Sequence, residues 1–501
     1  MKGFVRVAAI TPRVSVANPQ ANAEALLEGF REAVQAGAQV VVAPELCLTG
    51  CTCADLFGTA SLEAQTAAAL DRLCRELPSP DALFVVGLPV RWEDRLFNCA
   101  AVLQAGKVLG LVPKTCLPNN RSHDEKRHFV SGREVSAGTM LRGVPFGVDL
   151  LFDAGTFRFG IEIGDDLRAV VPPSCALASA RAQLILNPAA YAETVGSAVY
   201  RQDLVRTHSA RLACAYASSA AGEGESTADA VYAGHRLLAN GGRLLASAQW
   251  ETGLSLMDFA PAWIDVVRQR ETAFADLPRA PFRRIDCRTP SEGAPAQAYG
   301  LCAGLEANPF VPEDATLRTE RCREILRIQR AALVKRFTHT HAKRFVLGLS
   351  GGLDSTLALL VCVDACRQLG LPPTAILGVT MPGFGTTRRT RGNVDILAGQ
   401  LGIELREVPI GPAVTQHFAD IAHDPAVRDV TYENAQARER TQILMDLANQ
   451  ANGLLVGTGD LSEIALGWCT YNGDHMSMYS VNCGVSKALV RHCVETVALD
   501  S

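Results

Sequence analysis

The sequence predicts an α/β protein of two domains, and three observations carry that expectation. Strand-length apolar runs alternate with helical periodicity through the first half of the chain. A separate strand-to-helix junction with a glycine-rich turn lies far downstream, across residues 346–366. With 501 residues, 48% of them hydrophobic and 20% charged, the chain is long enough to bury two full-sized cores.

In chain order, residues 5–10 and 39–42 read as strands around a helix near 21–36, and 83–88, 100–104 and 109–112 continue as strands. Further strands are expected over 157–163, 183–187 and 214–219, with a helix over 197–212 between the last two. Residues 274–314 are rich in Pro, Ala and Gly and carry a basic run at 279–284, which reads as a solvated connector. The expected division is therefore a first domain over 1–275, a linker over 276–315 and a second domain over 316–501. A helix over 316–336 leads into that second domain, where strands are expected before the loops at Pro382 and Thr458.

Composition excludes several function classes. A formal net charge of −4 offers no basic surface for nucleic acid. The opening residues, interrupted by Arg6, read as a strand and not as a signal peptide, and no run approaches the roughly 18 apolar residues that span a bilayer. A cytoplasmic protein with no membrane partner is expected. The 16 cysteines are irregularly spaced in a chain that needs no staples, so Cys47, Cys51 and Cys53 read as buried thiols and Cys362 and Cys366 as core residues of one helix.

The chemistry begins at Ser350-Gly351-Gly352-Leu353-Asp354-Ser355. A strand that turns through glycines into a helix leaves unpaired N–H groups and a helix dipole facing an anion, and glycine lets the backbone approach a phosphate. A carboxylate beside a phosphate would repel it, so Asp354 implies a bridging Mg²⁺. The pattern resembles the Ser-Gly-Gly-x-Asp-Ser pyrophosphate loop of enzymes that cleave ATP between its α and β phosphates and form acyl-adenylates.

In the first half, three strand ends carry Pro44-Glu45-Leu46, Pro113-Lys114-Thr115 and Ile163-Gly164-Asp165-Asp166. They resemble the carbon-nitrogen hydrolase (nitrilase) family, in which a Glu base, a Lys and a Cys nucleophile sit at such positions. Glu45 and Lys114 match. Where the family reads Ile-Cys-Glu-Asp this chain has Gly164, which has no group to form an acyl intermediate. Cys175, beyond Pro172-Pro173, lies on a different segment and is not expected to substitute.

Both halves together resemble the glutamine-dependent NAD⁺ synthetases, over most of the chain, with Asp124-Glu125-Lys126-Arg127 and Trp468-Cys469-Thr470-Tyr471-Asn472-Gly473-Asp474 among the motifs that carry the likeness. That resemblance implies an αββα sandwich followed by a doubly wound parallel sheet, a homo-oligomer, and ATP-dependent amidation of deamido-NAD⁺ to NAD⁺ with release of AMP and pyrophosphate. It assigns Ser350, Gly351, Gly352, Asp354, Ser355 and Thr458 to ATP, and Asp354 with Glu463 to Mg²⁺. Asn434, Arg438, Glu463, Asp474 and Lys487 go to deamido-NAD⁺, with Lys487 near the phosphates, and adenine and ribose contacts fall near the loop over 381–387.

Cys51, Asn120, Arg168, Tyr191 and Ser197 depart from the family around its glutamine pocket, in step with Gly164. Glu45 and Lys114 are therefore expected to remain as a buried charge pair, and free ammonia is expected to replace glutamine as nitrogen source. The sequence also ends at Ser501, earlier than the family does, which reads as a shortened second domain. Two other readings stand beside this one: an inactive paralogue that binds nucleotide or a partner chain, and a different loop-sharing amidotransferase or thiolase, disfavoured because those have other glutaminase folds or Cys-x-x-Cys pairs.

Overall fold

The computed structural model describes residues 3–119, 124–225, 229–278, 280–288, 300–302, 307–384 and 388–500. Asn120, Arg279 and residues 385–387 of the glycine-rich loop, all singled out above, lie outside them. The chain divides into two compact units, Met1–Leu305 and Glu306–Ser501.

The first unit is built on two large sheets, beside a two-stranded ribbon of Met140–Leu141 and Val144–Pro145. Six strands run in the order Gly253–Phe259, Val5–Thr11, Val40–Val42, Leu83–Trp92, Arg95–Gln104 and Lys107–Pro113. Seven run Arg243–Ala248, Arg236–Asn240, Ala215–Ala220, Leu184–Ala189, Arg158–Ile161, Leu150–Asp153 and Arg283–Asp286. Their inner faces share a core in which Val7, Val40, Val85 and Val102 meet Phe152, Phe159, Leu186 and Leu238. Helices Pro19–Gln35 and Ala60–Glu76 cover one outer face, and Pro173–Ser179 and Ser197–Arg211 the other, which makes the αββα sandwich. Pro19–Gln35 shows why such a helix forms: Asn18 caps it by accepting from the Ala21 N–H at 3.3 Å, Pro19 opens it, and Ala23, Leu26, Leu27, Phe30 and Ala33 recur on one buried face.

The strand Arg283–Asp286 falls inside the stretch expected to be a plain linker. It pairs in parallel with Leu150–Asp153 at the edge of the seven-stranded sheet. Four residues of mixed polarity at a sheet edge leave no alternation to read, and three of the four are charged.

The second unit is a five-stranded sheet ordered Glu404–Glu407, Ile376–Thr380, Arg344–Gly348, Gly453–Gly457 and Tyr479–Ser480, with every pair parallel. In chain order this is 3-2-1-4-5, so the strand order reverses between Arg344–Gly348 and Gly453–Gly457, where such sheets open a crevice at their carboxyl ends. Helices Ala315–His339, Leu353–Leu369 and Lys487–Asp500 pack one face, and Gly411–Asp420 and Val430–Gln450 the other. Cys362 and Cys366 are buried in the former layer. Among the described residues no helix is long and apolar enough to cross a membrane.

Candidate functional sites

In the first unit, the strand Val40–Val42 ends in a tight turn that carries Glu45 over its neighbour. The turn needs Leu46 at φ +51° and needs Gly87 beneath it, because a Cβ there would collide with the backbone of Pro44 and Leu46. Glu45 is 2% exposed, and its Oε1 accepts from Lys114 Nζ and from Asn98 Nδ2, each at 2.6 Å. Lys114 also donates to Glu125 Oε1 at 2.7 Å. The expected buried pair is therefore a cluster of one ammonium and two carboxylates, and the correction has a simple cause: Glu125 lies eleven residues on, on a short 3-10 turn whose spacing gives no sign of where it points.

Burial raises the Glu45 carboxyl to about 7 against the pull of Lys114, and Glu125 adds to the rise. Burial likewise raises Glu125. Loss of hydration alone would lower Lys114, but Glu45, Glu125 and Asp165 more than reverse it, so its ammonium stays charged.

Gly164 stands against this cluster with φ +50°, and a Cβ added to it would lie 3.1 Å from Lys114 Nζ and in collision with Glu45 Oε2. Its carbonyl accepts from Tyr191 OH at 3.1 Å and Asn187 Nδ2 at 3.3 Å. Asp166, two residues on, is consumed structurally by the N–H groups of Ile163, Thr115 and Cys116 and the Thr115 hydroxyl. Cys175 lies on the helix Pro173–Ser179, its sulfur 3.7 Å from Arg211 Nη2.

The positions that depart from the resemblance make contacts of their own. Tyr191 is buried on Gly164, Arg168 pairs with Asp165 at 3.3 Å while lying over the Tyr191 and Tyr200 rings, and Ser197 binds Glu193 and Thr194. The Cys51 N–H donates to Glu225 at 3.0 Å. A cavity of about 700 Å³ opens beside Thr115, Cys116, Asp165 and Arg168.

In the second unit the strand Arg344–Gly348 runs into Ser350–Gly352 and the helix Leu353–Leu369, with Gly351 at φ +79°. Ser350 and Gly352 are exposed, whereas Ser355 is buried and closes the loop, its hydroxyl donating to Gly352 O at 3.0 Å and sharing 3.2 Å with Ser350 Oγ. A cavity of about 470 Å³ lies beside the loop, lined by Gly351, Gly352, Ser355, Asn393 and Gln400.

Asp354 and Glu463 lie together, and a third carboxylate, Asp460, joins them: one oxygen of each lies within 4.8 Å of the others. Asp460 is fully buried and caps the helix Leu461–Leu466, accepting from Ser462 and Glu463 N–H at 2.7 and 3.0 Å, while Glu463 reaches back to the Asp460 N–H at 3.2 Å. Lys487 Nζ sits among all three, 2.7 Å from Asp354, 3.0 Å from Asp460 and 3.0 Å from Glu463. The Asp460 contact is an ion pair without hydrogen-bond alignment, which leaves Asp460 Oδ2, like Asp354 Oδ1, without a donor. Burial would lower Lys487, but the three carboxylates raise it, so it remains an ammonium.

Asn434, Arg438 and Asp474 form a second group. Thr470 Oγ1 donates to Asn434 Oδ1 at 2.8 Å, Arg438 Nε to Tyr471 O at 3.1 Å, and Thr470 N to Asp474 Oδ1 at 2.7 Å, so one helix face is tied to the 470–474 turn. Glu463, assigned from sequence to both Mg²⁺ and deamido-NAD⁺, and Lys487, placed near the phosphates, lie in the Asp354 cluster and not on this helix face, since the capping geometry turns Glu463 back toward its own helix start.

Sequence reasoning missed three residues. Glu125 was read only as part of a motif. Asp460 was legible, since an Asp three residues before a Glu is a capping-box signal. Asn482, fully buried, donates to both Asp354 O at 2.9 Å and Thr458 O at 3.1 Å and so ties the start of the helix Leu353–Leu369 to the end of Gly453–Gly457; a single amide in a short run gives little warning of that.

Both halves of the chain match known families. A model of the NAD synthase family matches residues 325–498, and one of the carbon-nitrogen hydrolase family matches residues 6–269. The glutamine-dependent NAD(+) synthetase of Mycobacterium tuberculosis is 39% identical over 515 residues, covering 99% of this chain and 75% of that protein. Its counterpart in Mycobacterium leprae is 39% identical over 524 residues, covering 100% of this chain and 76% of that protein. Among solved structures, the glutamine-dependent NAD⁺ synthetase of Acinetobacter baumannii in complex with ADP aligns with a TM-score of 0.46 and 22% identity, over 99% of this chain and 82% of that one. A hydrolase half and a synthase half in one chain, with that identity along nearly its whole length, place this chain in the family of glutamine-dependent NAD⁺ synthetases.

Proposed function

We propose that the chain amidates deamido-NAD⁺ in the cytoplasm using ATP and free ammonia, as a homo-oligomer. The observation that carries this is the phosphate-type loop at the carboxyl end of the central strand, set against three carboxylates at the reversal of strand order. In the reaction the nicotinate carboxylate attacks the α-phosphate of ATP, pyrophosphate departs, and ammonia displaces AMP from the acyl-adenylate.

The donor set fits Mg²⁺. Three carboxylate oxygens within 4.8 Å of one another are the hard ligands it prefers, two carboxylate oxygens lack donors, and the Lys487 ammonium already supplies positive charge at that point. When bound, the ion would offset the charge that builds on the departing pyrophosphate. Asp354, Asp460 and Glu463 would hold it, and Ser350, Gly351 and Gly352 offer donors to the phosphates without side-chain obstruction. Lys487, once released from its carboxylates, has the charge to hold a phosphate. Thr458 lies at the end of the neighbouring strand on the ATP side, and Asn434, Arg438 and Asp474 hold the nicotinate end of deamido-NAD⁺.

Gly164 supplies no sulfur, so glutamine is not opened through an acyl-enzyme. Glu45 and Lys114 remain as charged groups without a nucleophile between them. The test is to supply purified chain, ATP, Mg²⁺ and deamido-NAD⁺ with either ammonium or glutamine and to follow NAD⁺. Product is expected with ammonium alone. Product with glutamine would overturn the account of Gly164, and none with either would overturn the synthetase reading.

A further inference from the structure

Each buried arginine among the described residues has its charge or its donors answered. Arg6 pairs with Asp258, Arg201 with Glu193 and Arg236 with Glu251, while Arg268 spreads its donors over the carbonyls of Ala182, Leu212 and Ala213. Arg440, half-buried on the helix Val430–Gln450, is different. Its one hydrogen bond among the described residues runs from Nε to Met381 O at 3.2 Å. No carboxylate among the described residues pairs with it, and burial draws its pKa down with no acid to oppose the fall. A guanidinium stays charged all the same, so a cation stripped of much of its water stands there without an anion. Neither Nη group finds an acceptor among the described residues, and neither is sealed from solvent.

The position of Arg440 narrows what the missing anion is. Its helix ends at Gln450, just before the strand Gly453–Gly457 begins, so the earlier turns of the helix lie nearer the carboxyl ends of the parallel strands. Leu444 packs on Gly348, the last residue of the central strand, 3.1 Å from where a Cβ would sit. Arg440 is one turn, about 5.4 Å, further toward the carboxyl ends, level with the start of the Ser350–Ser355 loop. Gly383 gives it room, since a Cβ there would come within 2.7 Å of Arg440 Nη2. The guanidinium thus stands where Ile376–Thr380 and Arg344–Gly348 end, whereas Asp354, Asp460 and Glu463 gather on the other side of the loop, toward Gly453–Gly457.

We propose that Arg440 holds the α-phosphate of ATP through its two Nη groups and stabilises the charge that gathers there during acyl-adenylate formation. This rests on the reading that the chain makes that intermediate. In the step, an oxygen of the nicotinate carboxylate bonds to the α-phosphorus, the bond from that phosphorus to the bridging oxygen breaks, and pyrophosphate leaves with the electron pair; no proton moves. With the departing pyrophosphate on the N–H groups of the loop and on its carboxylate side, the α-phosphate falls on the side of Arg440. A planar fork of N–H donors, already held in place by Met381 O, matches its non-bridging oxygens.

The 501-residue chain and its Arg440→Lys and Arg440→Ala variants are given ammonium, Mg²⁺, deamido-NAD⁺ and either ATP or one of the two diastereomers of ATP that carry sulfur on the α-phosphorus, and NAD⁺ is followed. Turnover with ATP should fall about a hundredfold in Arg440→Ala and less in Arg440→Lys. The parent should discriminate between the two diastereomers, and the ratio of their rates should shrink in both variants, because the fork that tells one non-bridging position from the other is lost or replaced by a point charge. A residue that merely anchors the Met381 segment would leave that ratio unmoved. Arg440→Lys keeps the charge and serves alone if Arg440→Ala does not fold. A ratio unchanged in the variants, even where turnover falls, overturns the inference, as does a parent that does not discriminate. NAD⁺ formed by the parent with either of those results leaves the proposed function standing, whereas a parent that forms none from ATP and ammonium overturns both.

Discussion

The carboxylate of Glu45 occupies the space into which a side chain on Gly164 would project. The two residues are mutually exclusive as they stand: Gly164 lies in the left-handed region at φ +50°, and a Cβ added there meets Glu45 and, at 3.1 Å, Lys114. Gly164→Cys is therefore expected to lower stability by about 1–3 kcal/mol, from backbone strain and crowding together. Urea unfolding of the variant beside the parent measures this, and an unchanged midpoint would show that Glu45 swings aside at no cost.

On the proposed function, Asp354→Asn and Glu463→Gln should each reduce ammonium-dependent NAD⁺ formation at least about a hundredfold, because each takes a charge from the three-carboxylate cluster beside the Ser350–Ser355 loop. Pyrophosphate release under saturating ATP reads the loss. Retention of full rate in both would exclude this cluster from the reaction.

Lys487 is the internal counter-ion of that cluster, so it competes with any cation for the same three carboxylates. Lys487→Gln should increase the upward shift in thermal midpoint that Mg²⁺ produces, while lowering turnover. A smaller Mg²⁺ shift in the variant would contradict the competition.

The pH dependence of stability carries a signature of Glu162. Burial holds its carboxyl up at about 7 from an ordinary 4.5, in spite of the Ser174 N–H and Tyr216 hydroxyl that bind it. A raised carboxyl binds protons in the folded chain that the unfolded chain releases, so its contribution is full below 4.5 and is lost as pH rises through about 7. Buried His208 and His235 act in the opposite sense, lowered to about 4 from 6.5, with stability lost as pH falls through that range. The difference between Glu162→Gln and parent isolates the carboxyl: the parent's stability relative to the variant should decline from pH 4.5 to 7 and be flat above.

Asn482→Ala removes the amide that spans Asp354 O and Thr458 O and takes from Gln329 Nε2 one of its two acceptors, Asn482 Oδ1 at 3.0 Å, leaving it Val481 O. A loss of about 2 kcal/mol or more is expected, with turnover falling further than stability alone accounts for. Chemical denaturation and turnover at a temperature where the variant is fully folded separate the two effects.

How much of this was legible in the sequence follows from how local each signal is. The Ser350–Ser355 loop and its flanking strand and helix could be read directly, because the apolar strand, the glycines and the helical period are contiguous. Glu45, Lys114 and Gly164 could be placed at strand ends, since each follows an apolar run. The Glu125 contact could not, because it depends on how a loop of some ten residues returns to the strand it left. Lys487 and Asn482 reach Asp354 from more than a hundred residues downstream, a distance over which no periodicity speaks. The helix Ala60–Glu76 went unread because its apolar positions are mostly alanine, so only Leu62, Thr66, Ala69 and Leu73 mark the buried stripe.

The strand Arg283–Asp286 has a practical corollary. A fragment severed near residue 275 would leave the backbone groups of Leu150–Asp153 bare along a rim of the sandwich, ready to recruit a foreign segment and precipitate. Anyone wishing to isolate the amino-terminal half should place the cut beyond Cys287, so that the molecule keeps its own hem.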